Sequence, residues 1–307
     1  MAFNFFLFRG SGDPAANLLR GSGRPVTPGT YAKLVKTLGL NLPLPEQFAH
    51  YLGETVEGNL GYSFYSQQPV STSIYQAIWP TVLLIGSSTI ASIVLGVWIG
   101  IAQGWRRGTG FDQSMLGFTM FTYAMPEFWF GMLMIMAFSI GVGPFPAIFP
   151  SGGYETVGAN YTGFAHVIDV LNHMVLPFFV LTISYLGEYS LIMRSSLLET
   201  LSEDYVQLAR AKGLRDKAVR RNHAVPNALL PTMTVTILSL GFVISGAITI
   251  ELIFNWPGLG LLTANAVYNK DYPMLEGLFL LFSVSIIVAN LVADLMYSYL
   301  DPRVRAG

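Results

Sequence analysis

Cysteine is absent from the 307 residues, which excludes a disulfide, a thiolate nucleophile and a cysteine metal site. Charge is scarce too: Asp, Glu, Lys and Arg make up 11% of the chain, against about 25% in an ordinary soluble domain. The net charge of -1 provides no global positive field to gather phosphates, so a nucleic-acid binder is excluded. His50, His166, His173 and His223 are too scattered to form a metal cluster; they read as structural polar residues, and no metal or cofactor set is expected. The chain also lacks a G-x-x-x-x-G-K-[ST] phosphate cradle, and the nearest approach, "GSGDPAA" at residues 10–16, has neither the lysine nor the strand such a loop needs. This chain is therefore expected not to hydrolyse ATP, and no catalytic residue is assigned.

What it has in quantity is apolar surface: 52% hydrophobic residues and a mean hydropathy of +0.50. A bilayer core needs about 20 apolar residues of helix. Five runs meet that length, at residues 81–104, 113–143, 173–193, 229–250 and 277–299. The second carries Glu127, the third Glu188 and the last Asp294. If the spans alternate in direction, one side of the membrane collects Arg106, Arg107, Arg194, Arg210, Lys212, Arg215, Lys217, Arg220, Arg221, Arg303 and Arg305. The other side has Arg9, Arg20, Arg24, Lys33, Lys36 and Lys270, and its loop at 144–172 has no lysine or arginine. Positive-inside places the first group, and the C-terminus, in the cytoplasm. The stub "MAFNFFLF" before Arg9 is too short to cross as helix, so it reads as the outer end of a sixth span that begins upstream. The expectation is an all-α, polytopic membrane protein with five complete spans. It divides into a span end and extracytoplasmic segment at 1–80, a transmembrane domain at 81–303 and a short tail at 304–307.

Six of the seventeen basic residues crowd into "QLARAKGLRDKAVRRNHAVPNALLP", residues 207–231. "LSEDYVQLARAKG" reads as a short helix, with Glu203 and Asp204 early, Arg210 and Lys212 late as the macrodipole prefers, and Gly213 as the stop. A second helical turn begins near Asp216, and Pro226 and Pro231 mark the return to the membrane.

This stretch resembles the cytoplasmic coupling loop of ABC importer permeases, whose pattern is E-A-A, three residues, Gly, nine residues, I-x-L-P. Gln207, Leu208 and Ala209 stand for E-A-A, Gly213 for the glycine, and His223 to Pro226 for I-x-L-P. Gln207, Leu208 and His223 depart from the pattern. The dipeptide/oligopeptide branch is a closer match, since its form "DYV..ARAKGL....V...H...NALLP" runs from Asp204 to Pro231. "GDPA" (12–15), "LPEQFAHYLGETVEGNLGYSF" (44–64), "PEFWFGMLM" (126–134), "NWPGLGLL" (255–262), "DYPMLEG" (271–277) and "NLVADLMYSYLDPRVR" (290–305) are similar to segments of the same branch. The resemblance implies the type I ABC importer permease fold in a bacterial or archaeal cytoplasmic membrane. It also implies one half of a heterodimeric channel for peptides, partnered by a homologous permease, two ATP-binding subunits and an extracytoplasmic solute-binding protein. The coupling loop would occupy 195–228. There a lever helix would set Tyr205, Leu208 and Ala209 into a groove on the ATPase, oriented by its basic residues, while small Ala209, Ala211 and Gly213 permit close approach.

Two further features carry expectations. Glu127, after Pro126 and inside a span, is the candidate to face the pathway and meet a peptide's amino terminus, with an interhelical hydrogen bond as the favoured plainer reading. Glu188, six residues before Arg194, is expected to pair with it near the inner face. "NWPGLG" cannot be regular helix, and Trp256, Pro257, Gly258 and Leu259 are expected to form an outer gate with Trp256 and Leu259 as an apolar plug. Asp301, Pro302 and Arg303 are expected to end the last helix. An ion-coupled secondary carrier is the alternative function; it predicts paired intramembrane charges and an inverted repeat, and neither stands out in the sequence.

Overall fold

The computed structural model of the chain describes residues 28–37, 39–143 and 146–300, with Phe5, Phe6, Ala15, Ala16 and Leu19 besides; side chains near the C-terminus are described as far as Leu295. The expected sixth span and the helix end at Asp301, Pro302 and Arg303 lie outside these residues. Among the described residues the protein is helical, with an isolated bridge between Tyr62 and Pro69.

Two short helices, α1 (Pro28–Thr37) and α2 (Leu44–Val56), precede the bundle. The first long helix, α3 (Val70–Trp105), contains Pro80 and a π turn at Val82–Gly86. It starts well before the apolar run that marks its membrane portion. The next apolar run is two helices, α4 (Gly110–Ala124) and α5 (Glu127–Ile140), bent by 95°. The break has a local cause, since Pro126 forces Met125 into extended geometry (φ -77°, ψ 125°). Helix α6 (Phe164–Ser202) has 39 residues, so the last part of the expected 144–172 loop is its opening turns. After the short α7 (Asp204–Ala211), α8 (Asp216–Ser245) passes through a π turn at Arg220–Ala224 and returns through the bundle. The run expected to continue to residue 250 breaks at Gly246, whose φ is +76°. Helices α9 (Ile248–Ile253) and α10 (Leu259–Tyr268) then fold back, where a loop was expected, and α11 (Tyr272–Leu300) closes the chain.

Helix α6 is the most enclosed of the long helices and α11 the least. What brings α3 against α6 is a ladder of small residues at every fourth position: Ser88, Ser92, Gly96, Gly100 and Gly104, all buried. A Cβ on Gly96 would lie 2.8 Å from Leu186 O, and one on Gly100 2.6 Å from Ser190 O, so the backbones touch. Ser92 seals the contact by donating to Thr182 O at 3.1 Å. Without a hydrophobic driving force between helices in lipid, such close backbone approach is what holds them together.

Candidate functional site

Helix α7 is built as its charges suggest. Asp204 stands in its first turn and Arg210 in its last. Gly213 is left-handed (φ +77°); its N–H donates to Arg210 O at 2.9 Å, and the Leu214 N–H donates to Ala209 O at 3.3 Å. That pair of bonds satisfies the last carbonyls and stops the helix. A Cβ on Gly213 would meet nothing within 4 Å, so the glycine is there for its φ and not for space. Gln207 Nε2 donates to Ser202 O, tying the helix to the end of α6. Asp204, Arg210, Ala211 and Lys212 are exposed, as is Pro226, while His223 is half-buried in the π turn and its carbonyl accepts from Asn227.

Tyr205 and Leu208 are 41% and 55% exposed on the outer face. Ala209, expected beside them, faces inward: it is buried with Val206 and Val219, and Trp105 and Leu201 pack on that cluster. The exposed apolar face of α7 is therefore Tyr205 and Leu208 without Ala209. Nearby, Arg194 does not pair with Glu188. Its Nε and Nη2 donate to Asp112 Oδ1 and Oδ2 at 2.8 and 3.0 Å, and Asp112 also accepts from the Gly108 N–H. This bidentate bond joins the base of α4 to α6.

At the opposite end of the bundle, "NWPGLG" joins α9 to α10 as an irregular connection, with Asn255 at φ +46°. Trp256 and Leu259 are both fully buried. The Trp256 Nε1–H donates to Pro80 O at 2.8 Å, and its ring meets Tyr154 edge-on at 5.0 Å. Leu259 N donates to Thr81 Oγ1 at 2.7 Å. Pro257 is exposed and Gly258 buried. Trp256, Gly258 and Leu259 thus form a wedge driven into the core beside α3, with Pro257 on its exposed side.

Sequence reasoning missed the wedge's polar centre. Glu251, beyond the end of the α8 span, is fully buried; its Oε1 accepts from Thr81 Oγ1 at 2.9 Å and its Oε2 from the N–H groups of Gly260 and Leu261 at 2.7 and 3.0 Å. Burial pushes its carboxyl up to about 7, against the opposing pull of those bonds. A carboxylate at the start of α10 also suits the positive end of that helix. Asp271 has a similar part: buried, it accepts from Ser63 Oγ and from the N–H groups of Phe64 and Tyr65, pinning the segment before α3 to the start of α11.

Glu127 opens α5 half-buried. It accepts from Thr249 Oγ1 at 2.6 Å and is hydrogen-bonded to Tyr185, so it bridges α5, α6 and α9. Among the described residues no group of three or more His, Asp or Glu side chains is placed to hold a metal.

The structure is a bundle of long apolar helices with a short helix in a basic stretch at one end and a broken, inward-packed segment at the other. The chain belongs to the family of binding-protein-dependent transport system inner membrane components, whose model matches residues 92–306. It is 36% identical to the dipeptide transport system permease protein DppB of Escherichia coli K12, over 96% of this chain and 90% of that one. Its identity to the oligopeptide transport system permease protein AppB of Bacillus subtilis is 33%, over 89% of this chain and 84% of that one. A di/tripeptide transport system permease protein DppB of Pseudomonas aeruginosa is also 33% identical, over 96% and 90%. Among solved structures, the MetNI methionine ABC transporter in an inward-facing form has the same fold, with TM-score 0.58, 14% identity, and coverage of 75% of this chain and 96% of that chain. The chain is accordingly a multi-pass inner-membrane permease of an ABC importer, a non-catalytic subunit, and the secondary-carrier alternative is set aside.

Proposed function

We propose that this chain is one half of a heterodimeric channel that passes di- or oligopeptides, delivered by an extracytoplasmic solute-binding protein and driven by two ATP-binding subunits in the cytoplasm. The observation that carries the reading is α7: an apolar pair, Tyr205 and Leu208, exposed on a helix flanked by Arg210, Lys212 and Arg215 and stopped by a left-handed glycine. A short helix with two apolar anchors and a basic rim is what a groove on an ATPase subunit would grip. The basic end of the bundle, with the C-terminus, then faces the cytoplasm, as positive-inside requires. The relatives' names supply the peptide cargo. Glu127, half-buried at the start of α5, would meet the peptide's ammonium group on its way through.

The test is uptake of labelled dipeptides and tetrapeptides into vesicles carrying this chain with its genomic neighbours, together with ATPase co-purification. Leu208→Asp should remove both. Uptake of an inorganic ion or sugar, with no peptide uptake, would refute the cargo; full ATPase retention in Leu208→Asp would refute the docking helix.

A further inference from the structure

The coupling helix and the first long helix lie far apart in sequence yet meet at one side chain. Trp105 is the last residue of α3. Its indole has two guanidinium groups on it, Arg210 of α7 at 5.8 Å from the ring centroid and Arg220 of the π turn at 5.7 Å. The same ring packs on two apolar clusters. One lies under α7 and holds Val206, Ala209 and Val219; the other lies in the bundle and holds Met193, Leu197, Ala224 and Ala228. Leu201 also touches both clusters, but it belongs to α6, which runs directly into α7. Trp105 instead links α7 to a different helix.

We propose that Trp105 is a positioning residue for transport: it converts movement of α7 into movement of α3. The inference rests on α7 being the site where the ATPase docks. Its outward face carries Tyr205 and Leu208, and any push there reaches the bundle through Val206 and Ala209, against which Trp105 lies. A cation over a ring is held by the quadrupole within about 6 Å, with no donor angle to satisfy. A hydrogen bond in the same place would weaken steeply below about 120°. Arg210 therefore keeps hold of the indole while α7 tilts, and Arg220 ties the same ring to the π turn of α8. Beyond the clamp, α3 does not yield locally, because Gly96, Gly100 and Gly104 seat it directly on the backbone and side chains of α6. Displacement of Trp105 is thus passed along a stiff helix pair.

The experiment uses the assembled transporter in proteoliposomes, with its partner permease, ATPase subunits and binding protein, and labelled dipeptide as probe. Two quantities are read on each preparation: ATPase subunit retained, and dipeptide taken up per ATP hydrolysed. Trp105→Leu keeps an apolar side chain, smaller and without a π face, and Trp105→Phe keeps a π face. Trp105→Leu should retain the ATPase but lower uptake per ATP by about fivefold or more, with Trp105→Phe within about twofold of wild type. A double variant, Arg210→Gln with Arg220→Gln, leaves the indole packed and should show the same drop as Trp105→Leu. If Trp105→Leu fails to accumulate, the double variant decides. Wild-type uptake per ATP in the double variant, or equal loss in the Leu and Phe variants, would overturn the proposal. Failure of the wild-type chain to retain any ATPase would instead refute the docking reading beneath it.

Discussion

Gly100→Ala puts one methyl group into the tightest described contact of the α3–α6 ladder. That methyl would lie 2.6 Å from Ser190 O and 2.8 Å from Met193 Cβ, while ordinary contact begins near 3.4 Å, so the helices must part by roughly 0.8 Å. Neither opposing atom can swing aside, since one is a backbone carbonyl and the other is fixed to the backbone. A gap of about 0.5–1 Å forfeits a quarter to a half of the dispersion well for the atoms along it, and overpacking of this kind costs about 1–3 kcal/mol. Alanine's better helix propensity returns about 1 kcal/mol, leaving a net loss of about 0–2 kcal/mol. Gly117 of α4 is the control, because a Cβ there meets nothing within 4 Å. Gly117→Ala should be neutral or slightly stabilising. The assay is thermal unfolding of the purified protein in detergent, with membrane abundance measured in parallel. If Gly100→Ala unfolds no earlier than Gly117→Ala, the ladder is not a close backbone contact and the reasoning fails.

Gly213→Val forces a β-branched residue into φ +77° at a cost of about 1–2 kcal/mol, so ATPase retention and uptake should fall with membrane abundance unchanged, whereas Gly213→Asn, which tolerates that conformation, should keep most of both. For Glu251, a carboxyl near 7 in the folded state and 4.5 unfolded binds more protons when folded; its contribution is therefore full below 4.5, is lost as pH rises toward 7, and is flat above. Thermal stability of wild type relative to Glu251→Gln should decline across that window, and a difference independent of pH would refute the burial effect. Asp112→Asn replaces a bidentate acceptor of Arg194 and should cost about 1.5–3 kcal/mol in the same unfolding assay, with no cost if α4 is held at its base by other contacts. Trp256→Ala empties a fully buried site and should reduce folded protein in the membrane, a loss of about 3–5 kcal/mol; wild-type abundance with increased leak would refute this and favour the gate role.

The bundle was legible because lipid imposes a simple length rule, and each long apolar run became helical, with breaks near Pro126 and at Gly246. What exceeded the rule was hidden by it. Helix α6 begins at Phe164, among polar residues such as His166 and Asp169, because a helix that projects past the lipid no longer needs an apolar sequence. Pro257 and Gly258 correctly signalled irregular backbone, but the fold-back of α9 and α10 depends on Glu251 reaching Thr81, a contact spanning 170 positions that no local pattern announces. Likewise, Arg194 had Glu188 nearby in sequence and chose Asp112, on another helix. The coupling stretch was the most legible part, since caps, dipole and stop are local properties: helix over Asp204–Ala211, a left-handed Gly213, and a restart at Asp216. Its facing was not. Tyr205, Leu208 and Ala209 do share a side at i, i+3 and i+4, but so do Val206 and Ala209, and only the position of Trp105 and Val219 decides which pair is covered.

Both ends of the bundle converge on α3. At one end Pro80 and Thr81 take the wedge through Trp256, Leu259 and Glu251. At the other, Trp105 meets α7 and the π turn. Between Thr81 and Trp105 this helix runs roughly 36 Å at a rise of about 1.5 Å per residue, so a single rod reaches from α7 to the wedge. Its glycine ladder against α6 stiffens the inner part, while the π turn at Val82–Gly86 interrupts the regular hydrogen-bond ladder directly beside the wedge. Single-turn π bulges of this kind recur at functional sites, and this one begins directly after Thr81, where the wedge is bonded.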